Sequence, residues 1–303
     1  MIKFFYRLGN EIKFTQSQTE FAAIGKENVL WIDVVKPNGE QKRIVEDFIG
    51  TEIQTRAEAE EIESSSRFSE EGKVIFANTH FLSPADDEML MDPVSFIITG
   101  GILTTIRDTT IRSFDTLQNK MQARPEMFDD GWRVFVEIMD KRVDLDADIV
   151  ELISKDVSQF SKRINQQEDI NEEFLLDINQ LQENAMFIRE NVVDKQRLIS
   201  NILKSKKCPK DKDLREDLTI ILQDISSLIN HINFAFERLE YLQDTVVGII
   251  NLLLMPATLV ASFYGMNVTL PFAEKWWAWL ALFLLMACLV VSIWIIFKRK
   301  KML

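Results

Sequence analysis

The apolar positions of the chain change their rhythm along its length. Up to about residue 112 they come in short runs: VLWIDVV (29–35), KVIFANTHFL (73–82), VSFIIT (94–99) and ILTTIR (102–107). These runs are rich in β-branched and aromatic residues and read as strands. Pro37-Asn38-Gly39, Ser83-Pro84 and Gly100-Gly101 read as turns. Helical patterns lie around 40–49 and 54–63. The spacing predicts a mixed α/β domain over 1–131. From Gly131 to Pro209 no glycine or proline interrupts the chain. Ile149, Leu152, Ile153, Val157, Phe160 and Ile164 recur at helical spacing, as do Leu175, Ile178, Leu181, Ala185 and Ile188. One very long helix, or two stacked ones, is expected. Residues 204–212, around Cys208-Pro209, read as a turn. A further helical pattern runs from about Asp213 to Thr245 without a breaker, so long helices are expected over 132–245.

Beyond that point the pattern loses its charges. Val246 to Tyr264 and Trp276 to Phe297 carry none. At 1.5 Å per residue, each is long enough to cross a hydrocarbon core of about 30 Å. The second stretch is apolar all round, whereas a helix of a soluble core keeps a polar face. We expect transmembrane helices over 246–264 and 276–297, an external loop over 265–275 and a basic tail over 298–303. Lys298, Arg299, Lys300 and Lys301 directly follow the second stretch. Basic residues at the end of a span stay on the cytoplasmic side. Two spans then put both termini in the cytoplasm, in a multi-pass protein of the cell (inner) membrane. The first ten residues, MIKFFYRLGN, are too short an apolar patch for a signal-peptide core.

The charge balance changes this picture in one respect. The chain has 303 residues, 35 Lys and Arg, 47 Asp and Glu, and a net charge of −12. The acidic excess lies ahead of Thr245, which argues against nucleic acid as a partner, since phosphate backbones need clustered cations. Cys208 and Cys288 form no disulfide framework or thiolate metal site. There is no phosphate loop and no Cys/His cluster. His80 and His231 read as packing or surface residues. An enzyme is not expected, and neither is a cofactor.

Asp244, Gly248, Asn251, Met255, Thr258 and Ser262 are spaced 4, 3, 4, 3 and 4 apart. This is a seam on one face of the first span, with a period of about 3.5 residues. Small and polar residues on such a seam either line a wet passage shared by several copies or mediate helix packing. Spacing alone leaves both open.

Tyr264-Gly265-Met266-Asn267, at the external end of the first span, is similar to the Gly-Met-Asn signature of the CorA family of magnesium and divalent metal ion transporters. Met255-Pro256, the TLVAS run at 258–262, the Trp-rich start of the second span and the tail KRKKML also resemble that family. So do FERLEYLQDTVVGIIN (236–251) and VSFIITGGILTTIRD (94–108). The resemblance implies a funnel-shaped homopentamer with an α/β/α cytoplasmic domain. It implies long stalk helices, an inner ring of first spans and an outer ring of second spans. The implied activity is passive influx of hydrated Mg2+, with Co2+ and Ni2+, gated by intracellular Mg2+. A divalent ion crossing ~100 mV gains roughly 4.6 kcal/mol, so no ATP is required.

The implied filter is Gly265, Met266 and Asn267. Mg2+ sheds its waters reluctantly, so amide and carbonyl oxygens at the mouth suit a hydrated ion, and Gly265 is expected to allow a left-handed turn there. Below it, Asn251, Thr258, Ser262 and Asp244 would face the water shell. Met255 would form an apolar constriction. Glu274 and Lys275 belong to the external loop. Candidate regulatory ligands for Mg2+ are Asp86, Asp87, Glu88 and Asp92 on one segment, with Asp211, Asp213, Glu216 and Asp217 near the stalk start.

Two stretches depart from the family pattern. GIIN (248–251) runs straight into LLLMPATLV, so about four helical turns of the relatives' inner segment are missing here. The loop VTLPFAEK lacks the acidic Met-Pro-Glu-Leu pattern that usually follows the signature. Competing readings are a zinc or nickel/cobalt transporter on the same scaffold, and a non-conducting, membrane-anchored coiled-coil scaffold or sensor.

Overall fold

The computed structural model describes residues 1–54, 67–85, 88–166, 172–265 and 275–299. Seven strands form one sheet in the order β2-β1-β3-β7-β6-β5-β4. They are β1 (Ile2–Leu8), β2 (Glu11–Thr15), β3 (Val29–Val35), β4 (Phe68–Glu71), β5 (Val74–Ala85), β6 (Glu88–Thr99) and β7 (Ile102–Arg107). The helices are α1 (Gln18–Ala22), α2 (Gly39–Ile49), α3 (Arg112–Ala123), α4 (Gly131–Gln166), α5 (Glu172–Lys204), α6 (Lys212–Tyr264) and α7 (Ala278–Arg299). β3 and β7 run parallel, and the other pairs are antiparallel.

Residues on the two faces of the sheet meet helices on opposite sides. Phe4, Ile32 and Val34 pack with Phe21 of α1 and with Val45 and Ile49 of α2. On the other face Phe5 stacks on Trp31 at 4.6 Å, Trp31 meets Phe114 of α3, and Phe96 meets Phe135 of α4 edge-on at 5.2 Å. All seven residues of β3 are buried, which is why VLWIDVV carries no alternation. The result is the expected helix–sheet–helix layering.

Local signals explain most of the boundaries. Asn38 caps α2 with a reciprocal capping box to Gln41, and Gly50 ends it with φ 77°. Gly100 and Gly101, at φ 58° and 83°, join β6 to β7 through the two-residue turn that strand twist favours. Gly131 opens α4 against that turn. Its N–H donates to Gly101 O at 2.6 Å. A Cβ there would collide with the backbone nitrogen of Leu103 and lie 2.7 Å from Gly101 O. Asp130 accepts N–H bonds from Trp132 and Arg133. Burial nevertheless pushes its carboxyl above the usual carboxylate range.

Two readings of the sequence change. Residues 2–8, considered above only as a possible leader, form β1, one strand in from the edge of the sheet. Ser83-Pro84 is not a turn: Pro84 lies in β5 opposite Met89, and the hairpin closes at Ala85 and Glu88. β4 covers β5 only from Val74 to Ala77. Among the described residues Pro84 therefore has a partner on one side, where its missing N–H does no harm. The helical pattern at 54–63 falls, beyond Gln54, outside the described residues.

The chain groups into two compact units, Met1–Glu151 with Met186–Ile232, and Leu152–Ala185 with Asn233–Leu303. The first unit holds the sheet and buries several charges beside groups of opposite sign. Asp33 accepts from Arg107 Nε and Nη2 at 3.1 and 2.8 Å and from Thr105 Oγ1, which itself accepts from Trp31 Nε1. In a second cluster, Asp146 on α4 pairs with Arg142, and Lys195 Nζ on α5 lies 2.9 Å from its Oδ2. Lys195 also donates to Asn191, whose amide donates to His80 O. In the second unit Phe160 meets Phe174 at 5.3 Å, and Gln243 Nε2 donates to Asn179 Oδ1.

Candidate functional site

α6 is 53 residues long and carries the whole seam from Asp244 to Ser262 without a break. Asp244, Asn251, Met255, Thr258 and Ser262 are exposed in the single chain. Exposure alone does not select this face, because Leu252, Leu254 and Leu259 are also exposed. Chemistry does distinguish it, since Asn251, Thr258 and Ser262 bring amide and hydroxyl groups to an otherwise apolar stretch. Thr258 Oγ1 donates to Leu254 O at 3.0 Å. With its proton committed to the backbone, the hydroxyl presents lone pairs outward. That suits a cation's water shell, whose outer hydrogens are donors. Pro256 sits inside the helix. It cannot donate to Leu252 O, so one rung of the ladder is absent there.

Gly265 continues the helical hydrogen bonding, its N–H donating to Ala261 O at 3.0 Å. Its φ is not in the left-handed region that the sequence suggested. Glycine permits both conformations, so the residue type did not decide between them. A Cβ at Gly265 would come within 3.4 Å of Ala261 O. Met266, Asn267 and Glu274 lie outside the described residues. Lys275 is exposed just ahead of α7.

α6 ends in the first uncharged stretch, and α7 runs through the second to Arg299. Among the described residues no helix is long and apolar enough to cross a membrane. Side chains at several positions within both stretches fall outside those residues. The uncharged lengths are features of the full sequence.

The acidic candidates part company. Asp86 and Asp87 lie outside the described residues. Glu88 opens β6 opposite Ala85, and Asp92 is half-buried opposite Phe81. Near the start of α6, Asp211 and Asp217 converge on one cation from α4: Arg133 Nη2 donates to Asp211 Oδ2 at 2.7 Å and Nη1 to Asp217 Oδ2 at 2.9 Å. Asp211 Oδ1 also accepts from Asp213 N. Asp213 and Glu216 are exposed. Among the described residues no three acidic, His or Cys side chains are arranged to hold a metal ion. The role of Arg133 was not legible in the sequence, since its partners lie 78 and 84 residues away.

Comparison with known proteins points one way. A model of the CorA-like Mg2+ transporter protein family matches residues 26–299. The chain is 33% identical over 298 residues to the magnesium transport protein CorA of Wolinella succinogenes, covering 91% of this chain and 92% of the relative. It is 28% identical to the protein of the same name from Escherichia coli K12, over 91% and 92%. In fold it is similar to the complete CorA magnesium transporter of Methanocaldococcus jannaschii, with a TM-score of 0.65, 15% identity and coverage of 98% and 97%. By its sequence, over nine-tenths of its length, the chain belongs to the CorA-like Mg2+ transporter family.

Proposed function

We propose that this chain is a membrane transporter of divalent cations, with Mg2+ as cargo. Residues 246–264 and 276–297 cross the cell membrane, with both termini in the cytoplasm. Five copies gather α6 around one axis, and α7 faces lipid. The observation that carries this reading is the seam on α6: the amide and hydroxyl groups of the first uncharged stretch share one face, and Thr258 is held as an acceptor. A single helix cannot enclose water, so the passage needs several copies. Asn267 and carbonyls near Gly265 form the entry filter, with Met266 beside them. Met255 narrows the passage by an apolar ring, and Asn251, Ser262 and Asp244 complete its wall.

The ion enters passively, driven by the membrane potential, and Co2+ and Ni2+ share the route. Intracellular Mg2+ closes the assembly by neutralising acidic faces that otherwise repel. Arg133 already engages Asp211 and Asp217, so Asp213 and Glu216 are the acids near the stalk start left to meet a regulatory ion first.

The test is ion flux into liposomes containing the purified chain. Mg2+ uptake should follow an inside-negative potential and fall to the background of empty vesicles in Asn267→Ala, with oligomer size unchanged. Equal uptake by the variant would remove the filter assignment. Absence of flux for every metal would favour an anchored scaffold, and Zn2+ flux without Mg2+ flux would favour a zinc carrier.

A further inference from the structure

Away from the seam, the first unit contains a cleft of about 330 Å3 at the carboxyl ends of β3 and β7. Topology makes this place unusual. β3 and β7 are parallel neighbours, and the chain leaves them toward opposite faces of the sheet. After β3 it enters α2, which packs on the Phe4 and Ile32 face; after β7 it enters α3, which packs on the Trp31 face. A crevice opens where neighbouring parallel strands diverge in this way, and ligands of open α/β sheets bind there. The volume falls in the range of small-molecule sites.

The lining has one sign of charge in excess. Among the described residues, Lys36, Lys42 and Arg107 line it beside one acid, Asp108. This runs against a chain whose net charge is −12. Arg107 is fixed: Nε and Nη2 donate to Asp33, and Nη1 donates to Thr109 O. With these bonds and the Phe114 ring beside it, the guanidinium is closed to solvent and fixes the end of β7. Lys36 is exposed at the end of β3, where its φ of 44° turns the chain out of the sheet. Lys42 lies 3.6 Å from Glu46, but that carboxylate also accepts from Ile53 N and is not dedicated to the lysine. Ser95 adds a hydroxyl. Gln54 accepts from Asn78 through Oε1, which leaves its amide nitrogen as a donor. Pro37, Ile53, Pro93 and Ile106 make part of the wall apolar.

We propose that this cleft binds a small organic phosphate of nucleotide size, its phosphate held by Lys36 and Lys42 and its organic part laid on the Pro37, Ile53, Pro93 and Ile106 wall. Two ammonium groups suit a phosphate oxyanion, and the apolar wall suits a planar base or similar group. Among the described lining residues a metal ion would find one carboxylate beside two lysines and is disfavoured. The site is remote in sequence from the seam on α6, and its occupancy is independent of whether the chain conducts ions.

The experiment is equilibrium binding to the full chain in detergent, in EDTA so that no Mg2+ bridges ligand to protein. ATP, AMP and inorganic phosphate are the probes, with citrate as an anion lacking phosphorus. Saturable binding of ATP or AMP, one per chain, is expected. Affinity should fall at least tenfold in Lys36→Gln/Lys42→Gln and rise several-fold in Asp108→Asn. Lys155→Gln on α4 should change nothing. AMP or ATP binding tighter than inorganic phosphate would support the organic part on the apolar wall. Inorganic phosphate alone binding, citrate matching the nucleotides, or undiminished binding by the double variant would overturn the proposal. Tryptophan fluorescence melting confirms that the variants are folded, and the expected gain in Asp108→Asn cannot come from unfolding.

Discussion

Asp33 and Arg107 are 0% and 3% exposed, whereas Met255 and Leu259 are 62% and 60% exposed. The sheet hides charged groups, and the far part of α6 leaves apolar ones bare. The contrast reflects where each region finds its partners. Asp33 meets Arg107 and Thr105 within the same chain, so its burial is complete as soon as one chain folds. Met255, Leu259 and, on α7, Phe283 at 64% exposure find no comparable cover in a single copy. Apolar surface of this extent drives association or insertion. The first region is thus covered within one chain, and the second leaves large apolar side chains uncovered in a single copy.

Four changes should sharpen or break this contrast. The largest effect is expected for Gly131→Ala, because the new Cβ meets backbone, not a side chain that can swing away. Stability should fall on the order of 5 kcal/mol, at the severe end of single substitutions, read as a lowered melting transition of the full chain. A folded variant with an unshifted melt would mean that the β6–β7 turn yields. Asp33→Ala comes next. It strands Arg107 in the core, and breaking a buried pair from one side costs about 3–5 kcal/mol. Denaturant titration followed through tryptophan fluorescence, which includes Trp31, should report the loss.

Lys195→Met gives a smaller, pH-dependent effect. Burial lowers the lysine from its ordinary 10.5 to about 8. Asp146 and Asp194 oppose that shift, and Arg142 adds to it. Between those two values the unfolded chain holds a proton that the folded chain has released, so stability from this group rises with pH. Compared with the variant, wild type should therefore gain stability as pH rises from 8 towards 10.5, and parallel melting curves over that interval would refute the assignment. Leu259→Ala should cost least. If that side chain has no packing partners within its own chain, the melt of the sheet unit should move by less than about 0.5 kcal/mol, while loss of the oligomer on a sizing column would show what covers it.

Much of the first region could be read directly from its residues. β3 and β7 match their apolar runs, and Asn38 and Gly50 mark both ends of α2. β1 was overlooked because IKFFYRL begins at residue 2, where an apolar patch invites a targeting explanation. β2, EIKFT, offers too few apolar positions to register. Pro84 misled because proline usually argues against a strand, and only the uncovered edge of β5 makes it tolerable. On the seam, period alone aligned Asn251, Thr258 and Ser262, but it could not tell that Thr258 turns its proton to Leu254. Long-range pairings such as Arg133 with Asp211 leave no local signature at all.

The outermost strands carry a consequence for assembly. β2 has five residues including Glu11 and Lys13, which pair at 3.2 Å, and β4 has four, ending in Glu70 and Glu71. Short, charged margins of this kind discourage an eighth strand from docking edge-on. Copies of this protein are thereby steered away from zippering through their sheets into open-ended stacks.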